Sequence, residues 1–324
     1  MRARILILLL AACLFLSVPK LGARSAPRRV AVVDLRAYVT AADFPNLARS
    51  GVTGVVVPIP RILQGEKPAA SLGPALQAFN NMRAFEPRFR ANGCRTSAGE
   101  TGTWLGAEAP DELSQAPTAI GLWVTRGVRI FRLVEERDSA LATSANARPP
   151  GAVRGLTPVG RTVVENVFAA GGLVDVSGLS ELSIDDVIEI AEASHAPVVA
   201  THSNASAIAD QPWNLSDTEL RRIAKTGGVI GVSFERHLLV RGRPAELRDV
   251  VRQIIHMVDV AGIDHVALGS GFGTGKVLTH DLELPSDFSR LATALSGAGL
   301  SDAAVDKIFH ENALRVLCSS PAPR

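Results

Sequence analysis

Cysteine is scarce in this chain: its 324 residues include three, Cys13, Cys94 and Cys318. They are too few and too scattered for a disulfide framework or a cysteine-bound zinc ion, and a single Cys94–Cys318 bridge is the one pairing left open. An excess of charge of one sign is also missing. The 34 basic and 32 acidic residues give a net charge of +2, so there is no electrostatic case for nucleic-acid binding. No apolar run reaches the roughly 20 residues of a membrane-spanning helix. No internal repeat or low-complexity tract stands out, and the histidines show no paired metal spacing such as H-E-x-x-H. What is present is 47% apolar and 20% charged residues, the balance of a globular chain with a sizeable core.

The first 25 residues stand apart. Arg2 and Arg4 precede an apolar run from Ile5 to Val18, and small residues follow around Ala23 to Ala26. This is the order of a secretory signal, with Ala23 and Ser25 small enough for the −3 and −1 positions of a cleavage site. An uncleaved anchor is the second reading. LAAC at 10–13 resembles a lipoprotein box and gives a third, although apolar residues continue after Cys13. All three place a single domain, residues 26–318, outside the cytoplasm, as a periplasmic, secreted or membrane-anchored protein. Residues 319–324 form a short tail, and membrane contact is expected only through the N-terminal segment.

Beyond residue 26 apolar, Val- and Ile-rich runs recur: VAVVDL (30–35), GVVVPI (54–59), TGTWLGAE (101–108), VRIFRLV (128–134), LVDVSG (173–178), VVATHS (198–203), VIGVSF (229–234) and HVALGS (265–270). They are continuous rather than alternating, as buried parallel strands are. Helical patterns lie between them. SIDDVIEIAEAS (183–194) opens on a serine N-cap candidate, and SDTELRRIAKTGG (216–228) carries a capping-box pattern, Ser216 with Glu219. ELRDVVRQIIHMVDVAG (246–262) and LSDAAVDKIFHENALRVL (300–317) follow the same spacing. Eight β–α units predict an α/β fold, a (β/α)8 TIM-type barrel, with a doubly wound open sheet as the alternative. The connections 60–100 and 136–155 are long enough to serve as lids or irregular loops.

In a barrel the chemistry sits at the C-terminal strand ends. Those positions hold Arg36 and Tyr38, Glu108, Glu135, Gly178, His202 and Gly271. The last lies in GSGFGTG (269–275), four glycines in seven residues. Neither G-x-G-x-x-G nor G-x-x-x-x-G-K-[ST] fits it, so it is no phosphate cradle.

The stretches GLTPVGRTVVENVFAAGGLVDVSGLSE (155–181), VVATHSNASAI (198–208), NLSDTELRRIAKTGGVIGVSF (214–234), GIDHVALGSGFG (262–273) and IFHENALRVL (308–317) resemble, in this order, the membrane dipeptidases, the renal-dipeptidase-like zinc peptidases of family M19. The resemblance implies the barrel, of the metallo-dependent hydrolase kind. It also implies two zinc ions, held by carboxylates and imidazoles, that activate a water to cleave dipeptides. Carried over motif by motif, the pattern is damaged here. The family's His-x-Asp after the first strand falls on Arg36 and Tyr38; arginine cannot shed its proton and a lone phenol is a poor zinc ligand. The bridging glutamate matches Glu108. The substrate-contacting histidine after the fourth strand falls on Glu135. DxSH reads DVSG, which puts Gly178 at a third ligand position. SHSN reads THSN and keeps His202. The arginine that contacts substrate carboxylate falls on Trp213, and GSDFDG reads GSGFGTG, so Gly271 stands where the family has its catalytic aspartate.

Two of five ligand positions therefore match, Glu108 and His202, whereas a catalytic zinc site normally has three protein ligands. The expectation is a membrane-dipeptidase-like barrel that is catalytically inactive or strongly altered, without a cofactor, with a small peptide as one candidate ligand of the old cleft. Two alternatives stand beside it: a working zinc metallodipeptidase that recruits other ligands, and an envelope scaffold or interaction protein. A homodimer is compatible with each. Glu108 is expected to pair with Arg36 in place of a metal, Asp175 to be structural, and Trp213 to fill the emptied pocket or to give a new ligand a stacking face. His280-Asp281 is a further candidate ligand pair in the last loop, and Asn204-Ala-Ser206 and Asn214-Leu-Ser216 read as glycosylation sequons.

Overall fold

Parallel strands close into a barrel in the computed structural model, which describes residues 30–37, 47, 49–59, 89–91, 94, 101–108, 110–146 and 154–319. The N-terminal signal or anchor segment and Tyr38 lie outside the described residues. Eight strands form the barrel: β1 (Val32–Asp34), β2 (Val52–Ile59), β4 (Thr101–Ala107), β5 (Val128–Arg132), β6 (Leu173–Asp175), β7 (Val199–Ala200), β8 (Val229–Val232) and β9 (Val266–Leu268). They run β2-β1-β9-β8-β7-β6-β5-β4, and a β2–β4 pairing closes the circle. Each of the eight apolar runs supplies one strand. A ninth strand, β3 (Phe89–Ala91), pairs with the start of β4.

The strands read as unbroken apolar runs because both of their faces are buried. Val33, Val56, Trp104, Ile130, Leu173, Val199, Val229 and Ala267 form one cluster inside the barrel. Their neighbours Val32, Val57, Leu105, Phe131, Val174, Ala200, Ile230 and Leu268 belong to the other cluster, shared with the helices. The two faces alternate as the pleat requires. Gly54 makes room for the largest interior side chain: a Cβ there would stand 2.8 Å from the Trp104 ring.

The helices follow their capping signals. Helix α1 (Pro110–Gln115) and α2 (Ile120–Thr125) precede β5, and α3 (Pro158–Ala169) and α4 (Glu181–Ser194) flank β6. The cap of α4 is Ser180, one turn before the expected Ser183. Ser183 instead donates its hydroxyl to Thr143 O at 3.1 Å from inside the first turn. In α5 (Asp217–Lys225) the capping box forms in both directions between Ser216 and Glu219. A four-residue helix α6 (Arg236–Leu239) follows β8, then α7 (Leu247–Ala261) and α8 (Phe288–Gly297). The C-terminal helical pattern resolves into α9 (Asp302–Asp306), a π-helical stretch (Lys307–Glu311) and α10 (Asn312–Leu317). Ala313, Val316 and Leu317 of α10 join the interior cluster and plug the N-terminal end of the barrel. Among the described residues no helix is long and apolar enough to cross a membrane.

The Cys94–Cys318 bridge, which the sequence left open, is formed, with the two Cα atoms 5.5 Å apart. It ties the segment between β3 and β4 to the end of α10, where Arg129 of β5 also donates to Val316 O (2.9 Å) and Ser319 O (2.7 Å). The sequons are not usable acceptors. Asn204 and Asn214 are buried, and the Asn214 amide donates to Ala209 O and Leu238 O while Asn204 donates to Ser233 O.

Cross-linking residues 224 positions apart constrains the unfolded chain strongly. Cys318→Ser is expected to lower the unfolding free energy by about 2–4 kcal/mol in urea titrations, and a non-reduced peptide digest should contain the Cys94–Cys318 pair.

Candidate functional site: a guanidinium-clamped cleft

The C-terminal strand ends open into a cleft of about 840 Å³. Two aspartates hold its floor in shape by the same device. Asp175, at the end of β6, accepts from the backbone N–H of Ser177 (3.0 Å) and Thr201 (2.9 Å), and from the Thr201 hydroxyl (2.6 Å). Asp34, at the end of β1, accepts from the N–H of Arg36 (3.1 Å) and Ser270 (3.0 Å), and from the Ser270 hydroxyl. Each carboxylate ties its own strand end to a neighbouring strand. Asp175 is thus structural, as the sequence suggested. Burial pushes the Asp34 carboxyl up to about 6 against the lowering effect of its hydrogen bonds and Arg36.

On this floor Glu108 meets two guanidinium groups. Arg36 Nη2 lies 3.6 Å from Glu108 Oε1, so the expected pair forms. Arg132, the last residue of β5, reaches the same oxygen at 3.2 Å through Nη1. The three side chains are 5–13% exposed. Arg132 also places its guanidinium carbon 5.3 Å from the centre of the Trp213 ring, and its Nη2 donates to Glu135 O at 3.5 Å. Glu135 itself is half-buried at the cleft wall.

His202 is fully buried. Its Nδ1 lies 2.8 Å from the Thr201 hydroxyl oxygen, whose proton is committed to Asp175. The ring therefore carries its proton on Nδ1, and Nε2 is a lone-pair acceptor with no hydrogen-bond partner among the described residues. Burial first, then the charges of Arg36, Arg132 and His237, hold its pKa well below the usual histidine value.

The two glycine positions are sealed by other residues. A Cβ on Gly178 would meet Trp213 ring atoms at 3.4 and 3.5 Å, and a Cβ on Gly271 would meet Glu235 Oε1 at 2.8 Å. Both glycines have φ of +77°, where an L side chain is strained. Trp213 does fill the emptied space. The Glu235 carboxylate, delivered from the end of β8, stands where a side chain at 271 would go. At the mouth Lys276 Nζ bridges to Glu136 at 2.6 Å. His280 is exposed and Asp281 half-buried, with Nδ1 3.8 Å from the carboxylate, and neither lines the cleft.

Sequence reasoning missed Arg132, Glu235, His237 and Lys276, all of which line the cleft. Glu235 was detectable, since it follows the run VIGVSF directly. Arg132 sits inside an apolar run and shows its role only when the barrel closes.

The model of the family described as membrane dipeptidase (peptidase family M19) matches residues 79–320, well over half of the chain. The chain belongs to the membrane dipeptidase family. Dipeptidase tcpJ of Claviceps purpurea is 30% identical over 221 residues, covering 68% of this chain and 51% of that protein. An uncharacterised Klebsiella pneumoniae protein from the pqqA 5′ region is 38% identical over 167 residues, covering 50% of this chain and 60% of that protein. The chain thus spans about half to three fifths of the length of these relatives. Among solved structures, the probable dipeptidase PvdM of Pseudomonas aeruginosa superposes with a TM-score of 0.78 at 21% identity, over 89% of this chain and 95% of that one. A Rhodobacter sphaeroides metallopeptidase bound to a phosphinate mimic of the dipeptide L-Ala-D-Ala gives 0.75 at 23%, over 90% and 99%. These likenesses establish the barrel fold.

The residues present do not fit the family's zinc pair. Glu108 Oε1 is engaged by two cations that cannot ligate a metal, and Gly178, at a third ligand position, offers no donor. Among the described residues no group of three or more His, Cys, Asp or Glu side chains is placed to share a metal ion.

Two results are expected from this geometry. Glu108→Gln removes the carboxylate between two buried guanidinium groups and should cost about 3 kcal/mol of stability in urea unfolding. Asp34 and His202 should act oppositely on acid stability. The raised Asp34 pKa means the folded state binds the proton first, so stability falls by about 3 kcal/mol as pH rises from 4 to 6. The lowered His202 pKa means stability present above about pH 6.5 is lost as pH falls below it. Asp34→Asn should therefore steepen the loss of stability on acidification from pH 6.5 to 4, and His202→Asn should lessen it, as read by urea midpoints across that range.

Proposed function

We propose that this chain is a catalytically inactive or strongly altered membrane dipeptidase homologue that works without zinc and holds a small ligand, such as a peptide, in the former catalytic cleft. The observation that carries this reading is the Arg36–Glu108–Arg132 clamp. Two fixed guanidinium charges lie against the one carboxylate that the family resemblance assigns to metal bridging, and arginine stays protonated at every accessible pH. A dication entering there would displace both groups against their own charge.

The chain is further proposed to be exported. The signal-like first 25 residues support this, and so does the Cys94–Cys318 disulfide, a bond that persists in oxidising compartments.

One observation favours the alternative of a working zinc metallodipeptidase. His202 keeps a bare Nε2, oriented by the Asp175–Thr201 relay in the way a carboxylate orients a metal-binding imidazole. Metal content decides between the two. The purified chain is dialysed against zinc, freed of excess and measured by elemental analysis, then offered a panel of dipeptides. A zinc content near zero and no hydrolysis are expected. One or two tightly held zinc ions per chain, with cleavage of any dipeptide, would overturn the proposal.

A further inference from the structure

The clamp leaves one carboxylate of the cleft unexplained. Glu235 follows β8, has a side chain 3% exposed and lines the cleft. Among the described residues its one ion-pair partner is His237, whose Nδ1 lies 3.5 Å from Glu235 Oε2 on a half-exposed ring. Burial, ahead of the attraction of Glu235, lowers the pKa of that ring, so at neutral pH it brings little positive charge. A buried carboxylate without a full cation is unfavourable, and it faces the open space of the cleft.

The surroundings of Glu235 suit an organic cation. The Trp213 ring centre lies 6.4 Å from that of His237, roughly edge-on, and both rings line the same cleft as Glu235, so aromatic surface is available to a cation there. Position 213 is also where the family resemblance places an arginine for a substrate carboxylate. At this wall an anion-binding group has given way to an aromatic ring with a carboxylate nearby, while the positive charge has moved to the floor as Arg36 and Arg132. The polarity of this wall is reversed.

We propose that Glu235, with Trp213 and His237 beside it, forms a subsite for the ammonium group of a ligand, so that this wall of the cleft selects an organic amine over a free carboxylate. Glu235 accepts the ammonium N–H, the Trp213 ring covers the carbons next to it, and Arg36 and Arg132 repel a second cation from the floor. The inference rests on the reading of the cleft as a zinc-free binding site.

The test is calorimetric titration of the purified chain, zinc content measured on the same sample, with 1,4-diaminobutane and glycinamide as cationic probes. Acetate is offered as a competitor. The amines should bind, acetate should not displace them, and Glu235→Gln should weaken them by roughly tenfold or more. His237→Lys supplies an ammonium from the half-exposed neighbour of Glu235. It should abolish amine binding with the unfolding midpoint unchanged, which keeps the test decisive if Glu235→Gln folds poorly. No amine binding to a zinc-free chain overturns the subsite and leaves the zinc-free reading standing. Amine binding that either folded variant leaves unchanged, or that acetate displaces, overturns it as well. Stoichiometric zinc in the sample overturns the underlying reading whatever the amines do.

Discussion

The contact on which the cleft depends is the double engagement of Glu108 by Arg36 and Arg132. Three strand ends meet there, those of β1, β4 and β5. A carboxylate at the mouth of a barrel needs positive charge, and in a metal enzyme a dissociable ion supplies it. In this chain two side chains supply it permanently. The consequence reaches His202, whose low proton affinity owes its second and third contributions to the same two arginines. Burial first, and the clamp after it, keep the neighbouring imidazole neutral, while the clamp occupies the carboxylate that the family resemblance assigns to metal bridging.

At two positions where the chain departs from the family pattern, a neighbouring residue takes up the space of a side chain. Gly178 and Trp213 form one pair, Gly271 and Glu235 another. In each, a strand-end residue has lost its side chain, at a φ of +77° that favours glycine, and a residue from elsewhere fills the space. Restoring a histidine at 178 or an aspartate at 271 alone would meet a ring or a carboxylate already in place. The site has moved to a different arrangement, and single reversions do not lead back to the old one.

The barrel was legible because its strands are buried on both faces, which leaves unbroken Val- and Ile-rich runs that turn and helix signals separate. Strand β3 was not, since Phe89-Arg90-Ala91 has no such run. The cap of α4 was misplaced because Ser180 and Ser183 both suit the local pattern, and the contact that decides between them, Ser183 to Thr143, spans 40 residues. The sequons at 204 and 214 failed for the same reason: a three-residue pattern carries no information on burial. The lost ligands could be read one motif at a time, as could the pairing of Arg36 with Glu108. The new groups could not. Arg132 reads as one polar residue in an apolar strand, and Glu235 gains meaning only from its closeness to Gly271.

The strand ends beneath the cleft are held by hydrogen bonds that involve no ion. Asp34 and Asp175 tie β1 to the start of the loop after β9, and β6 to the end of β7, through three hydrogen bonds each. These bonds need no ion. A site whose geometry relies on a bound metal gains stability from it only while metal is present. Here the strand ends are fixed by backbone N–H and hydroxyl donors, and the floor charge by guanidinium groups. The scaffold under the ligand positions therefore stayed intact while the positions themselves were exchanged, and a cleft of the same outline could acquire the charge pattern of a binding site.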